Sequence, residues 1–207
     1  MNAAERTIYL LRHAEPLSGP GGRRYIGWSD PPLSATGVRQ AERWQPITTA
    51  LNLTAAFCSD LQRSRQTAET ILATITIPIT ADPGLREIHL GEWEGMTFAA
   101  VRGKYPESYE QRGREPADFR PPGGESFGDL QQRVMPVFQS IIANTRGNIL
   151  IVGHAGVNRV ILSRLLGMPL ENIFRMGQDY AAVNIIAADR NGLKVQTLNC
   201  LPDLNTT

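Results

Sequence analysis

The sequence predicts an α/β fold: a three-layer, mostly parallel open sheet with helices on both faces and a small helical and loop cap. Three observations carry this expectation. Apolar runs at 8–11, 55–58 and 148–153 have the length and composition of buried strands. Each is followed, directly or after a loop, by a segment with helical capping or spacing. Strands that alternate with helices form a parallel sheet whose crossovers share one hand.

The elements follow in order. Ile8, Tyr9, Leu10 and Leu11 make the first strand, which delivers Arg12 and His13 to its C-terminal end. Residues 16–32 are rich in Gly and Pro and read as a loop, yet they carry Arg23, Arg24, Tyr25 and Trp28. Ser34 is an N-cap for a helix with apolar positions at Val38, Ala41, Ile47 and Leu51, which Pro46 should kink or end. Residues 55–58 are the second strand, and the helix after it runs from Ser59 to about Ala73. The β-branched alternation of 75–80 predicts a third strand. Residues 96–124 read as short helical pieces broken by Pro106, Gly113, Pro116 and Pro121-Pro122. Ser126 caps a longer helix through Ile142. The run Asn148-Ile-Leu-Ile-Val-Gly153 is the clearest buried strand, and His154-Ala-Gly opens the helix after it. A last strand pair, 183–188 and 193–198, flanks a turn at 189–192.

Composition narrows the class. The 207 residues suffice for one domain, 1–207, with a full core. A net charge of +1 argues against nonspecific nucleic-acid binding. All but two of the 21 basic residues are Arg, the better bidentate partner for phosphate. Cys58 and Cys200 form no C-x-x-C pair, and Cys58 sits in an apolar run as a core residue. The first thirty residues lack the apolar core of a signal peptide, and no apolar run is long enough to span a membrane. The expectation is a cytoplasmic protein without a membrane partner.

In a parallel sheet all strand C-terminal ends lie on one edge, where ligands bind. Arg12 and His13 follow the first strand, Arg63 the second, Glu87 the third, and His154 the strand at 149–152. Two His, two Arg and one Glu therefore converge on a single edge, a set suited to an anion. No H-E-x-x-H or clustered ligand spacing occurs, and two Arg would repel a cation, so neither metal nor cofactor is expected.

Four segments resemble the histidine phosphatase superfamily, the phosphoglycerate mutase-like group. They are Arg12-His-Ala-Glu15, Ser59-Asp-Leu-x-Arg-Ser-x-x-Thr-Ala68, Leu85-Arg-Glu-x-x-x-Gly-Glu-Trp-Glu-Gly95 and Val152-Gly-His-Ala-Gly156. The resemblance implies that His13 attacks phosphorus and carries the phosphoryl group. It implies that Arg12, Arg63 and His154 hold the phosphoryl oxygens, and that Glu87 protonates the leaving oxygen and later activates water. Phosphoryl transfer needs positioning and charge stabilisation, which two guanidinium forks supply. The nucleophile must be a neutral imidazole, so the ordinary value of about 6.5 predicts that activity falls in mild acid. The superfamily usually has Gly after the nucleophile, where this chain has Ala14; that is compatible if the Ala14 φ is negative.

Arg24-Tyr-Ile-Gly-Trp-Ser-Asp-Pro-Pro-Leu-Ser34 resembles a segment shared by mutases and α-ribazole phosphatases, while Gly91-Glu-Trp-Glu-Gly95 and Pro121-Pro-Gly-Gly-Glu-Ser126 look more like α-ribazole phosphatases and other short bacterial phosphatases. The expected substrate is a small-molecule phosphate monoester, α-ribazole 5′-phosphate first. A phosphoglycerate mutase or broad sugar-phosphate phosphatase is the alternative, and a non-catalytic phosphate-binding module the third reading. Glu15, Arg24, Tyr25, Ile26, Gly27 and Ala155 are the expected substrate-binding residues, beneath a cap inserted at about 88–125. The resemblance also leaves room for a homodimer.

Overall fold

A computed structural model describes residues 6–202 of the chain. Six strands form one sheet in the order β3-β2-β4-β1-β5-β6. These are β1 (Arg6–Arg12), β2 (Leu53–Cys58), β3 (Ile79–Ala81), β4 (Asn148–Gly153), β5 (Val183–Asp189) and β6 (Gly192–Cys200). The four strands β3, β2, β4 and β1 run parallel. β5 runs antiparallel to β1, and β6 antiparallel to β5.

Alternation along the central strands builds two cores. Ile8 and Leu10 of β1 and Ile149 and Ile151 of β4 face one layer. There they meet Leu130, Val134 and Phe138 of α6 (Phe127–Asn144) and Val157, Val160 and Ile161 of α7 (Ala155–Leu166). Leu11, Leu150, Val152 and Cys58 face the other layer. They meet Ala41 of α1 (Ala35–Glu42), Trp44 just after it, and Ala68 and Ile71 of α3 (Gln62–Ile71). Truncating a fully buried side chain here, such as Ile151→Ala, should cost about 2–5 kcal/mol.

Local chemistry sets the helix starts. Ser34 caps α1 by accepting from the Gly37 N–H at 3.0 Å. The helix expected over 34–51 is split: α2 (Gln45–Thr48) starts afresh with Pro46 in its first turn, where a missing N–H costs nothing. Ser126 and Asp129 form a reciprocal capping box on α6, a device contributing about 1 kcal/mol.

The strand expected at 75–80 is shorter and later. Only β3 pairs, against Ala56–Cys58, and all three of its residues are exposed. Ile75 and Ile77 pack on the α3 side of the core instead of joining the ladder.

Segment 88–125 carries α4 (Phe98–Lys104) and α5 (Pro106–Arg114). It is fastened to the loop after β1 by backbone bonds from Tyr25 N to Met96 O (2.9 Å) and from Gly95 N to Tyr25 O (2.8 Å). Tyr25 also packs against Phe98 and Trp93, with ring centroids 4.3 and 5.3 Å apart. Among the described residues no helix is long and apolar enough to cross a membrane.

Candidate active site

The geometry starts at the end of β1. His13 is buried, and its Nδ1 lies 2.7 Å from the Ala14 carbonyl. That carbonyl can only accept, so the proton sits on Nδ1 and Nε2 is unprotonated, its lone pair turned toward the Arg63 Nε–H. Ala14 is itself fully buried, and its N–H donates to Thr67 Oγ1 at 3.0 Å. Its φ is not among the positive values of the chain, so the extra methyl brings no backbone strain.

Three cationic or imidazole groups surround His13. Arg63, fully buried on α3, directs Nε at His13 Nε2 from 3.3 Å. Its other nitrogens donate to the carbonyls of Ser29 (2.7 Å) and Gly27 (2.6 Å). Arg12 donates from Nη1 to the Gln178 carbonyl at 2.6 Å, and its buried Nε has no partner. The His154 ring lies 4.9 Å from the His13 ring. His154 Nε2 sits 2.6 Å from Ser59 Oγ, while its buried Nδ1 has no partner. Burial, with Arg63 and Arg12 alongside, holds the His13 imidazole well below its usual range. Burial, then Arg63 and His13, does the same to His154. Both rings are therefore held neutral near pH 7, and the acid limb expected near 6.5 for His13 moves lower.

Glu87 reaches the site from the turn after β3. Its Oε1 accepts from the N–H of Ile88 (2.9 Å), and both oxygens accept from Gly156 N–H, at 3.1 and 3.0 Å. Gly156 is in the first turn of α7, so the carboxylate caps a helix N-terminus. A Cβ at Gly156 would collide with Glu87 Oε1, which explains a glycine there. The neighbouring acids are engaged elsewhere. Glu94 accepts from Gly27, Trp28 and Ser29 N–H groups and ties down that loop. Glu15 accepts from Ser34 Oγ, and Glu92 from the Tyr105 hydroxyl.

A cavity of about 420 Å³ opens beside Glu87 and Gly156. Arg24, Tyr25, Ile26 and Ala155 line it, together with Arg112 and Arg159. A second cavity of about 550 Å³ borders Arg12 and is lined by Glu15, Arg24, Ile26 and Tyr180. Arg24 itself holds the loop, donating to the Gly95 and Pro20 carbonyls at 2.7 and 2.6 Å. Gly27 lies beneath the surface, where its carbonyl anchors Arg63. Among the described residues no three His, Cys, Asp or Glu side chains gather as a metal-binding group.

The histidine phosphatase superfamily (branch 1) profile matches residues 8–201. The chain belongs to the histidine phosphatase superfamily. Within it, the chain is 28% identical over 197 residues to the adenosylcobalamin/alpha-ribazole phosphatase of Escherichia coli K12, spanning 93% of this chain and 95% of that one. It is 29% identical over 193 residues to phosphoserine phosphatase 1 of Hydrogenobacter thermophilus, spanning 93% and 91%. The crystal structure of the alpha-ribazole phosphatase from Shigella flexneri superposes with a TM-score of 0.84 at 28% identity, covering 94% of this chain and 96% of that one.

Several residues of this superfamily member's pocket escaped the sequence reading. Ser59, which opens the second resembling segment, carries no assigned role in the sequence, yet it directly follows β2 and meets His154 Nε2. Arg112 lies in the last turn of α5 and Arg159 within α7, and nothing in their spacing signals a cavity. Gln178 and Tyr180 precede β5, and only its antiparallel course brings them to the edge that carries His13.

Proposed function

We propose that this chain is a metal-independent phosphomonoesterase that works through a phosphohistidine on His13. One observation carries the reading: a neutral imidazole, with Nε2 facing Arg63, is flanked by two buried polar atoms without partners, Arg12 Nε and His154 Nδ1. Orphaned buried polar atoms are rare in folded proteins, and a phosphoryl group would satisfy both. His13 Nε2 attacks phosphorus as the ester P–O bond breaks, and Glu87 gives its proton to the leaving oxygen. Water then attacks the phosphoryl group, Glu87 takes a proton from that water, and the N–P bond breaks to release phosphate. Arg12, Arg63 and His154 hold the equatorial oxygens, whose charge is the main demand of the transition state. The segment 88–125 acts as the cap over the leaving group.

α-Ribazole 5′-phosphate is the first candidate substrate, supported by the alpha-ribazole phosphatases that match nearly the whole chain. A second reading is a phosphate ester bearing a carboxylate, as in phosphoserine or phosphoglycerate. Its support is the cavity beside Glu87. Arg112 makes no hydrogen bond or ion pair among the described residues, its guanidinium lying 5.3–5.5 Å from the rings of Phe127, Phe174 and Tyr25. Arg159 is held only through Nε, by the Met176 carbonyl at 2.9 Å.

The test is a panel assayed in chelator: α-ribazole 5′-phosphate, phosphoserine, both phosphoglycerates and an aryl phosphate, with wild type and His13→Ala. Phosphate release by wild type alone is expected. Equal rates for the two proteins would sink the mechanism, and interconversion of the phosphoglycerates without phosphate release would favour a mutase.

A further inference from the structure

The approach to β5 is built around Arg12. Because β5 runs antiparallel to β1, its first residue pairs with Leu11, and the turn before it lies over the end of β1. That turn is pinned to β1 by Arg12 N donating to Ala182 O (3.0 Å) and Ala181 N donating to His13 O (3.3 Å). Trp44 Nε1 donates to the Ala181 carbonyl at 2.9 Å. Ala181 is held at φ +58, a left-handed conformation that L residues with a Cβ avoid. Such outliers persist where surrounding bonds over-determine them, and they cluster at functional sites. Beneath the turn, the buried side chains of Gln178 and Asn184 exchange hydrogen bonds at 2.9 and 3.0 Å, and Asn184 donates to the Leu10 carbonyl at 3.0 Å.

This platform presents two things to Arg12. The Gln178 carbonyl accepts from Nη1 at 2.6 Å, and the Tyr180 ring lies under the guanidinium, with Cζ 3.8 Å from its centroid. The same ring is 5.6 Å from that of His13. Three arginines away from the site are fixed by carboxylates, Arg86 by Asp60, Arg133 by Glu125 and Arg120 by Asp129, whereas Arg63, like Arg12, is held by carbonyls. A carboxylate would orient Arg12 too, but it would cancel the charge that an anion needs. A carbonyl and an aromatic face orient the guanidinium while leaving it cationic, and a stacked face keeps its N–H edge open.

We propose that Tyr180 is a positioning residue for Arg12: its ring fixes the guanidinium plane so that the unpartnered edge meets the phosphoryl oxygens. The inference rests on the phosphatase reading for its turnover readout, but anion binding tests it without turnover. The experiment compares wild type with Tyr180→Phe, Tyr180→Leu and Tyr180→Met. It measures kcat and KM on an aryl phosphate, inhibition by vanadate and calorimetric binding of inorganic phosphate, with thermal melting as the fold control.

Tyr180→Phe keeps the ring and should stay within about twofold of wild type, whereas Leu and Met should weaken vanadate by about tenfold. The phosphoryl transition state depends more on Arg12 orientation than the ground state does, so vanadate affinity and kcat should fall together, and phosphate affinity less. Unchanged vanadate affinity in a folded Leu or Met variant would overturn the proposal. So would an equal loss in Phe, which would assign the effect to the hydroxyl. If wild type turns over no ester yet binds phosphate in a ring-dependent way, the phosphatase reading fails and the positioning role stands. Absence of both turnover and phosphate binding would overturn both.

Discussion

The two sides of the pocket are built on opposite plans. On the strand-end side, Arg63 is anchored on the Gly27 and Ser29 carbonyls, Arg12 on the Gln178 carbonyl and the Tyr180 ring, and His13 on Ala14. On the side of the cavity beside Glu87, Arg112 of α5 lies over three aromatic rings without a hydrogen bond among the described residues, and Arg159 of α7 donates only through Nε. The first side is preorganised around one small group. The second is a cavity of mixed polar and apolar lining, whose arginines make few hydrogen bonds among the described residues. Under the proposed function, the chemistry falls to the side whose groups are each fixed by hydrogen bonds, and the choice of substrate to the side whose arginines are less constrained.

Experiments can break or sharpen that division, beginning with the largest effect. Arg63→Lys keeps the charge but loses the fork that reaches His13, Gly27 and Ser29 together. It should lower kcat by about 10²–10³-fold on every ester, as loss of a transition-state donor does. A loss confined to some substrates would blur the two sides. Gly156→Ala should displace the Glu87 carboxylate and cut kcat by about 10²-fold, most strongly for poor leaving groups that need a proton. Equal loss for an aryl phosphate with a good leaving group would argue against Glu87 as the acid.

Changes on the cavity side should act differently. Arg112→Gln and Arg159→Gln should raise KM for phosphoserine relative to an aryl phosphate by about tenfold, the weight of a charged hydrogen bond. No change in that ratio would remove the case for a carboxylate-bearing substrate.

The smallest effect is on stability. His13 and His154 are held below the ordinary imidazole value in the folded chain and return to about 6.5 when it unfolds. The unfolded chain thus binds more protons as pH drops, so stability is full above about pH 6.5 and declines below it. Melting temperature should fall from about pH 6.5 toward 5, less steeply in His154→Gln, a change that calorimetry can follow. A flat profile in wild type would mean that the rings are not held neutral. Vanadate-bound enzyme, with an anion beside both rings, should show a shallower decline than free enzyme.

Much of the strand-end side was legible in the sequence. Arg12, His13, Arg63, Glu87 and His154 each follow a parallel strand or its turn, and topology alone sends those positions to one edge. Parallel topology points only to residues that follow the C-terminal ends of strands. Tyr180 and Gln178 enter from the start of an antiparallel strand, so they reach the same edge from the opposite chain direction. The strand at 75–80 was over-read because β-branched alternation is a local signal, while pairing depends on a neighbour; β3 has only β2. The cavity side was the least legible. Arg112 and Arg159 lie 47 positions apart in the numbering and meet one cavity only because α5 and α7 face it together. Tyr25, expected as a substrate contact, both lines that cavity and packs on Phe98, a double role that spacing cannot reveal.

The central claim is that His13 carries the phosphoryl group. Its most direct test is to mix the enzyme with an aryl phosphate, quench in alkali within the first turnovers and map the modified peptide by mass spectrometry. The account predicts one acid-labile, alkali-stable phosphoryl group on the peptide containing His13, absent from His13→Ala. Turnover with no phosphoryl group on His13, or a phosphoryl group on another residue, would contradict it.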